Sequence, residues 1–135
     1  MSSAPRPRIL VIEDDEDTRA MLKASLRAIA PLEVHVATDG AEGIRLLKAG
    51  RFDLIVCDWN MPNMSGLEVL QQVRGWDASR ATPFIMLTAE SSEDRVLVAI
   101  EAGATDYIIK PWTLETLGEK LRQHIELGPE QRSRS

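Results

Sequence analysis

The sequence predicts an α/β fold: one doubly wound, five-stranded, open parallel sheet with helices on both faces. Three observations predict it. Five short apolar runs alternate with five longer stretches of helical spacing, the signature of strand–helix–strand units joined by right-handed crossovers. The runs are nearly continuous rather than alternating, as strands covered on both faces are. Turn-forming residues, Asp39-Gly40, Gly50, Gly66, Gly75 and Gly103, fall between the periodic segments.

The elements follow in order. Ile9 to Ile12 is apolar and rich in β-branched residues, hence a strand. Thr18 to Ala30 carries Met21, Leu22, Leu26 and Ile29 at helical spacing. Val34 to Ala37 is the second strand, and Ala41 to Ala49, with Ile44 and Leu47, the second helix. Leu54 to Cys57 and Leu67 to Val73 form the third pair, Phe84 to Leu87 and Arg95 to Ala102 the fourth. Tyr107 to Ile109 is the fifth strand. The last helix places Leu114, Leu117, Leu121 and Ile125 three or four residues apart and is expected to stop at Gly128-Pro129.

Bulk properties narrow the class. A chain of 135 residues that is 44% hydrophobic suits one domain with one core. The expected division is a flexible segment over residues 1–7, a domain over 8–127 and a polar tail over 128–135. No apolar run is long enough to cross a bilayer, and the stretch after Met1, which reads as a natural start, holds no apolar signal core. The chain is expected to be cytoplasmic, with no membrane insertion. Its net charge of -5 leaves no basic footprint for nucleic acid. The single cysteine, Cys57, excludes an internal disulfide and lies in an apolar run, where a buried, inert thiol is expected.

In a doubly wound sheet the functional crevice lies beyond the C-terminal ends of the strands. Glu13 and Asp14 follow the first strand, Asp58 the third, Thr88 and Ala89 the fourth, and Lys110 the fifth. Three carboxylates would converge there. Like charges in a partly dry site repel and raise each other's pKa. A hard divalent ion such as Mg²⁺, with Mn²⁺ as a substitute, relieves the repulsion. Lys110 adds a positive charge and Thr88 a hydroxyl, so an anionic group fits between them. Phosphoryl transfer asks mainly for positioning and charge neutralisation, and Asp58, on the middle strand, is the candidate nucleophile. Each residue alone has an ordinary reading. The acids from Glu13 to Asp17 suit a helix N-terminus, Asp58 a turn or cap, Thr88 a turn, and Lys110 before Pro111 an ordinary exposed lysine. Their joint placement on four strand ends carries the inference.

The same residues carry a resemblance. Ile9-Leu10-Val11-Ile12-Glu13-Asp14, Asp58-Trp59-Asn60-Met61-Pro62-Asn63-Met64-Ser65-Gly66, Met86-Leu87-Thr88-Ala89-Glu90 and Gly103-Ala104-Thr105-Asp106-Tyr107-Ile108-Ile109-Lys110-Pro111 resemble a response-regulator receiver domain, from about Arg8 to Ile125. Within that family the chemotaxis regulators of the CheY type are closely similar. The resemblance implies a flavodoxin/CheY-like sheet in the order 2-1-3-4-5 and a stand-alone response regulator. Asp58 would be phosphorylated by a sensor histidine kinase or phosphotransfer protein. Glu13, Asp14, Asp58 and the Asn60 carbonyl would hold Mg²⁺, and Lys110 would contact a phosphoryl oxygen. Thr88 and Tyr107 would form the switch, Asn60 and Glu90 would modulate dephosphorylation, and the Lys110-Pro111 bond would be cis. A downstream protein would bind the face around Tyr107. Such a chain is not an enzyme beyond catalysing its own phosphorylation and dephosphorylation.

Alternatives stay open on the residues alone. Tyr107 also reads as a half-buried aromatic, Trp59 as loop packing or a wall of the site, and Trp112 as packing or part of a partner face. The output is expected in chemotaxis and flagellar motor control; a phosphorelay intermediate or an enzyme adaptor is the alternative. An aspartyl-nucleophile phosphatase would carry an acid where Asn60 stands, and a flavin binder would not place acids after its first strand. Departures from the CheY type are Glu13 for aspartate, Ser65 for another acid, Trp112 for phenylalanine, and the surface from Glu93 to Glu101.

Overall fold

The computed structural model describes residues 6–89 and 93–127. Strands β1 (Arg8–Ile12), β2 (Glu33–Ala37), β3 (Leu54–Asp58), β4 (Phe84–Thr88) and β5 (Asp106–Ile109) alternate with helices α1 (Glu16–Ile29), α2 (Gly40–Ala49), α3 (Gly66–Gly75), α4 (Glu93–Glu101) and α5 (Leu114–His124). All pairings are parallel, in the order β2-β1-β3-β4-β5. The expected class and strand order are both met.

Local chemistry sets the helix starts. Asp15, Asp39, Ser65 and Thr113 cap α1, α2, α3 and α5, each accepting a hydrogen bond from a backbone N–H of the first turn. Ser65 and Glu68 close a full capping box. The acid run after β1 thus divides its labour: Asp15 caps, Glu16 and Asp17 face the helix dipole, and Glu13 and Asp14 belong to the sheet edge.

Alternate residues of each strand feed opposite faces. Ile9 and Val11 pack with Leu22 and Leu26 of α1 and Leu117 and Leu121 of α5. Leu10 and Ile12 pack with Ile44 of α2, Val69, Leu70 and Val73 of α3 and Ala99 of α4. Each fully buried leucine contributes about 2 kcal/mol of transfer free energy. Two apolar residues at helical spacing miss the core. Met21 is 60% exposed and Leu114 53% exposed, because the stripe that meets the sheet runs through Leu22 and Leu26 in α1 and through Leu117 and Leu121 in α5. In α4 only Ala99 is buried, while Leu97, Val98 and Ile100 stand out. Helix α5 stops at His124, capped by Ile125, ahead of the expected Gly128-Pro129, which lies outside the described residues.

The β3–α3 loop folds back on the strand that precedes it. Asn63 takes a left-handed φ of 72°, and the Gly66 N–H donates to the Trp59 carbonyl at 2.8 Å. A Cβ on Gly66 would lie 2.3 Å from the Asp58 carbonyl oxygen. Only glycine permits that approach, which holds the loop against the end of β3. Gly66→Ala is expected to cost about 3 kcal/mol and to lower the melting temperature by roughly 10 °C, read by thermal unfolding.

Candidate functional site

Parallel strands deliver their C-terminal ends to one edge. Glu13 and Asp14 arrive from β1, Asp58 from β3, Thr88 from β4 and Lys110 from just past β5. Register brings them level: Ile12 pairs with Cys57, Asp58 with Leu87, and Thr88 with Ile109. The Lys110 N–H donates to the Thr88 carbonyl at 2.8 Å, and the Trp59 N–H to the Leu87 carbonyl at 2.9 Å. The Lys110-Pro111 peptide is cis, as the resemblance implied.

The Lys110 ammonium lies 2.8 Å from Asp58 Oδ1 and 3.3 Å from Glu13 Oε1. Glu13 Oε2 accepts from the Asp15 N–H at 3.2 Å. Carboxylate oxygens of Glu13, Asp14 and Asp58 lie within 4.8 Å of one another. Glu13, Asp58 and Thr88 are buried, whereas Asp14 is exposed at the mouth. The sequence offered Glu13 and Asp14 together as metal ligands; the fold makes one a buried partner of Lys110 and leaves the other to solvent.

Burial dominates the electrostatics. It pushes the Glu13 carboxyl from its ordinary 4.5 up to about 7, and the Asp58 charge adds to the rise while the Asp15 N–H and Lys110 oppose it. Burial raises Asp58 too, against the hydrogen bond and charge of Lys110. Burial would pull Lys110 down, but its hydrogen bond to Asp58 and the charges of Asp58 and Glu13 outweigh that and raise it. Cys57, fully buried beneath the site, has its thiol pushed up by burial, which suits the inert role expected of it.

The remaining expectations place as follows. Asn60 is exposed on the loop two residues after Asp58. Glu90 lies outside the described residues. Tyr107 is half-buried against the Leu10–Met86 side of the core. Trp59 is buried in that cluster, with the Arg95 guanidinium 4.4 Å from its ring centroid. Trp112 packs on the other cluster and donates to Ser25 Oγ at 3.1 Å. Both tryptophans make packing contacts, Trp59 buried and Trp112 half-buried. Sequence reasoning missed Arg95 over Trp59, which no spacing rule announces, and the pairing of Asp106 with Lys120 and His124. The one available signal for the latter was that Lys120 and His124 stand four apart in α5 and so share a face.

Three carboxylates with an exposed approach form an oxygen donor set suited to a hard divalent cation, and the ammonium beside them suits an anionic group. Residues 9–122 match the family model of the response regulator receiver domain. The chain belongs to that family. It is similar to chemotaxis protein CheY-3 of Vibrio cholerae, 37% identical over 88% of this chain and 92% of the relative. It is also similar to chemotaxis protein CheY of Pseudomonas aeruginosa, 35% identical over 88% of this chain and 96% of the relative. Among solved structures, Vibrio cholerae CheY4 superposes with a TM-score of 0.85 at 33% identity, over 90% of this chain and all of that one. The receiver domain of a Pseudomonas aeruginosa sensor histidine kinase superposes at 0.82 with 27% identity, over 89% of this chain and 98% of that one, and holds a magnesium ion in its active-site cleft. The receiver described here is thus CheY-like in sequence and in fold.

One consequence of the geometry is testable without any ligand. The folded Glu13 binds its proton more tightly than the unfolded one. Its contribution favours folding below about pH 4.5 and is lost as the pH rises through about 7. Glu13→Gln is therefore expected to be more stable than the wild type above pH 7, by about 2 kcal/mol, with the gap closing toward pH 4.5. Denaturant unfolding in a chelator at both ends of the range measures it.

Proposed function

We propose that this receiver takes a phosphoryl group onto Asp58 from a phosphohistidine donor, with Mg²⁺ bound by Glu13, Asp14, Asp58 and the Asn60 carbonyl. The observation that supports it most is the Asp58 carboxylate at the centre of the sheet edge, 2.8 Å from the Lys110 ammonium and beside two further carboxylates. A bound divalent ion would neutralise negative charge on the acids and on the incoming phosphoryl oxygens. Asp58 supplies the oxygen that bonds to phosphorus while the donor's P–N bond breaks. Lys110 moves from pairing carboxylates to pairing a phosphoryl oxygen. Thr88, buried at the end of β4, donates its hydroxyl to the new group. The buried walls around Asp58 slow hydrolysis of the acyl phosphate, with Asn60 and Glu90 adjusting its lifetime.

In this reading the chain is a switch rather than a turnover enzyme. The phosphoryl group shifts the population of a protein-binding face around Tyr107. We assign its output to chemotaxis in the cytoplasm, supported by the names of the relatives at 35% and 37% identity. A partner outside chemotaxis is the alternative, because the α4 surface from Glu93 to Glu101 is where the sequence departs from that type.

Mg²⁺ with acetyl phosphate is expected to add one phosphoryl group, read by intact mass. Asp58→Asn is expected to add none, and Lys110→Met to slow uptake about a hundredfold. Uptake that survives in Asp58→Asn, or that ignores Mg²⁺, would overturn the assignment. Metal affinity carries its own signature. Glu13 has to release its proton for the ion, so Mg²⁺ affinity is expected to fall about tenfold per pH unit below pH 7, followed by quenching of Trp59 fluorescence.

A further inference from the structure

Asp106 opens β5, one residue before Tyr107, and gathers three donors. Its Oδ1 accepts from the Lys120 ammonium at 2.8 Å and from the Tyr107 N–H at 2.8 Å. Its Oδ2 meets His124 Nε2 at 2.8 Å. Lys120 and His124 lie one turn apart on α5 and grip the two oxygens of one carboxylate. The side chains of Asp106, His124 and Lys120 are only 15%, 19% and 26% exposed, so screening is weak. Although burial would push the Asp106 carboxyl up, the hydrogen bonds from Lys120 and His124 outweigh it and hold the group below its ordinary value.

The fourth contact gives the cluster a direction. The Lys120 ammonium also stands 5.6 Å from the centroid of the Tyr107 ring, within cation–π range. Tyr107 packs on the core side that α2, α3 and α4 cover, whereas α5 packs on the opposite side. The contact is made because β5 is an edge strand; among the described residues no strand pairs beyond it, and a long side chain from α5 wraps round. His124 fixes the carboxylate, the carboxylate fixes the ammonium, and the ammonium stands over the ring.

We propose that Asp106, Lys120 and His124 form a clamp that holds Tyr107 in its half-buried orientation, with Lys120 and Asp106 as positioning residues for that side chain. Resting on the receiver reading above, the clamp sets how easily Tyr107 leaves that orientation when Asp58 is phosphorylated. Turning the ring away gives up the cation–π contact, so a weaker clamp lowers the threshold of the switch. None of the three residues belongs to the phosphorylation site, and none is needed to accept the phosphoryl group.

The chain has a single tyrosine, so the full-length protein labelled with 3-fluorotyrosine gives one ¹⁹F resonance, from Tyr107. Without phosphorylation, Lys120→Met, which keeps the stem and removes the charge, and Asp106→Asn are expected to move that resonance. The shift corresponds to a change in orientation population of about twofold to fivefold, the size of a partly exposed cation–π contact. Lys120→Arg is expected to restore the wild-type position, and Arg122→Met on the same helix to leave it alone. Thermal unfolding of each variant runs beside it. A lower melting temperature with an unmoved resonance would make the cluster merely structural and end the proposal. In the second arm, acetyl phosphate and Mg²⁺ are added and intact mass reports uptake. Uptake with a shift in the same direction as Lys120→Met supports the threshold role; uptake with no such shift overturns it. Absence of uptake removes the receiver reading and the threshold with it, while the unphosphorylated variants still decide the clamp.

Discussion

A single ammonium is shared by two carboxylates that burial disfavours: Lys110 stands 2.8 Å from Asp58 and 3.3 Å from Glu13, and the other groups at this edge take their places around it. Without that cation, two buried acids and a third at the mouth would face one another with nothing to offset their charge. With it, the triad keeps a raised affinity for protons at Glu13 and Asp58. A site with that residual repulsion is poised to take up positive charge.

The scaffold makes the arrangement rigid. Five parallel strands end level with one another, so residues from Glu13 to Lys110 meet although they are 97 positions apart. Backbone hydrogen bonds then lock the loops. Gly66 folds against Asp58 and Trp59, and Lys110 is tied to Thr88 across the last strand pair. Positioning of this kind suits phosphoryl transfer, where there is little covalent chemistry for a protein to supply. Helix α4 buries only Ala99, and among the described residues no strand pairs beyond β5, so the face around Tyr107 is less fully covered than the middle of the sheet.

Much of this is legible in the sequence. Ile9 to Ile12, Leu54 to Cys57 and Phe84 to Leu87 read as buried strands because both faces of the sheet are covered and the runs carry no polar break. Asp58, Thr88 and Lys110 read as a site because each follows such a run. Helix faces were less legible. Met21 and Leu114 fit the helical period as well as Leu22 and Leu117 do, yet they face water. Periodicity states that a stripe exists; the angle at which the helix meets the sheet chooses which residues fill it.

The sequence by itself determined the alternation of elements, hence the parallel sheet, hence the edge where the acids and the lysine collect. It did so because hydrophobic period and turn chemistry are local properties of the chain. Only the tertiary structure decided that Glu13 is buried and Asp14 is not, that Trp59 and Trp112 pack on opposite clusters, and that Lys120 reaches round the edge of β5 to Asp106 and Tyr107. Those outcomes depend on distances between residues remote in sequence. Desolvation and charge pairing act through such distances, which no local pattern encodes.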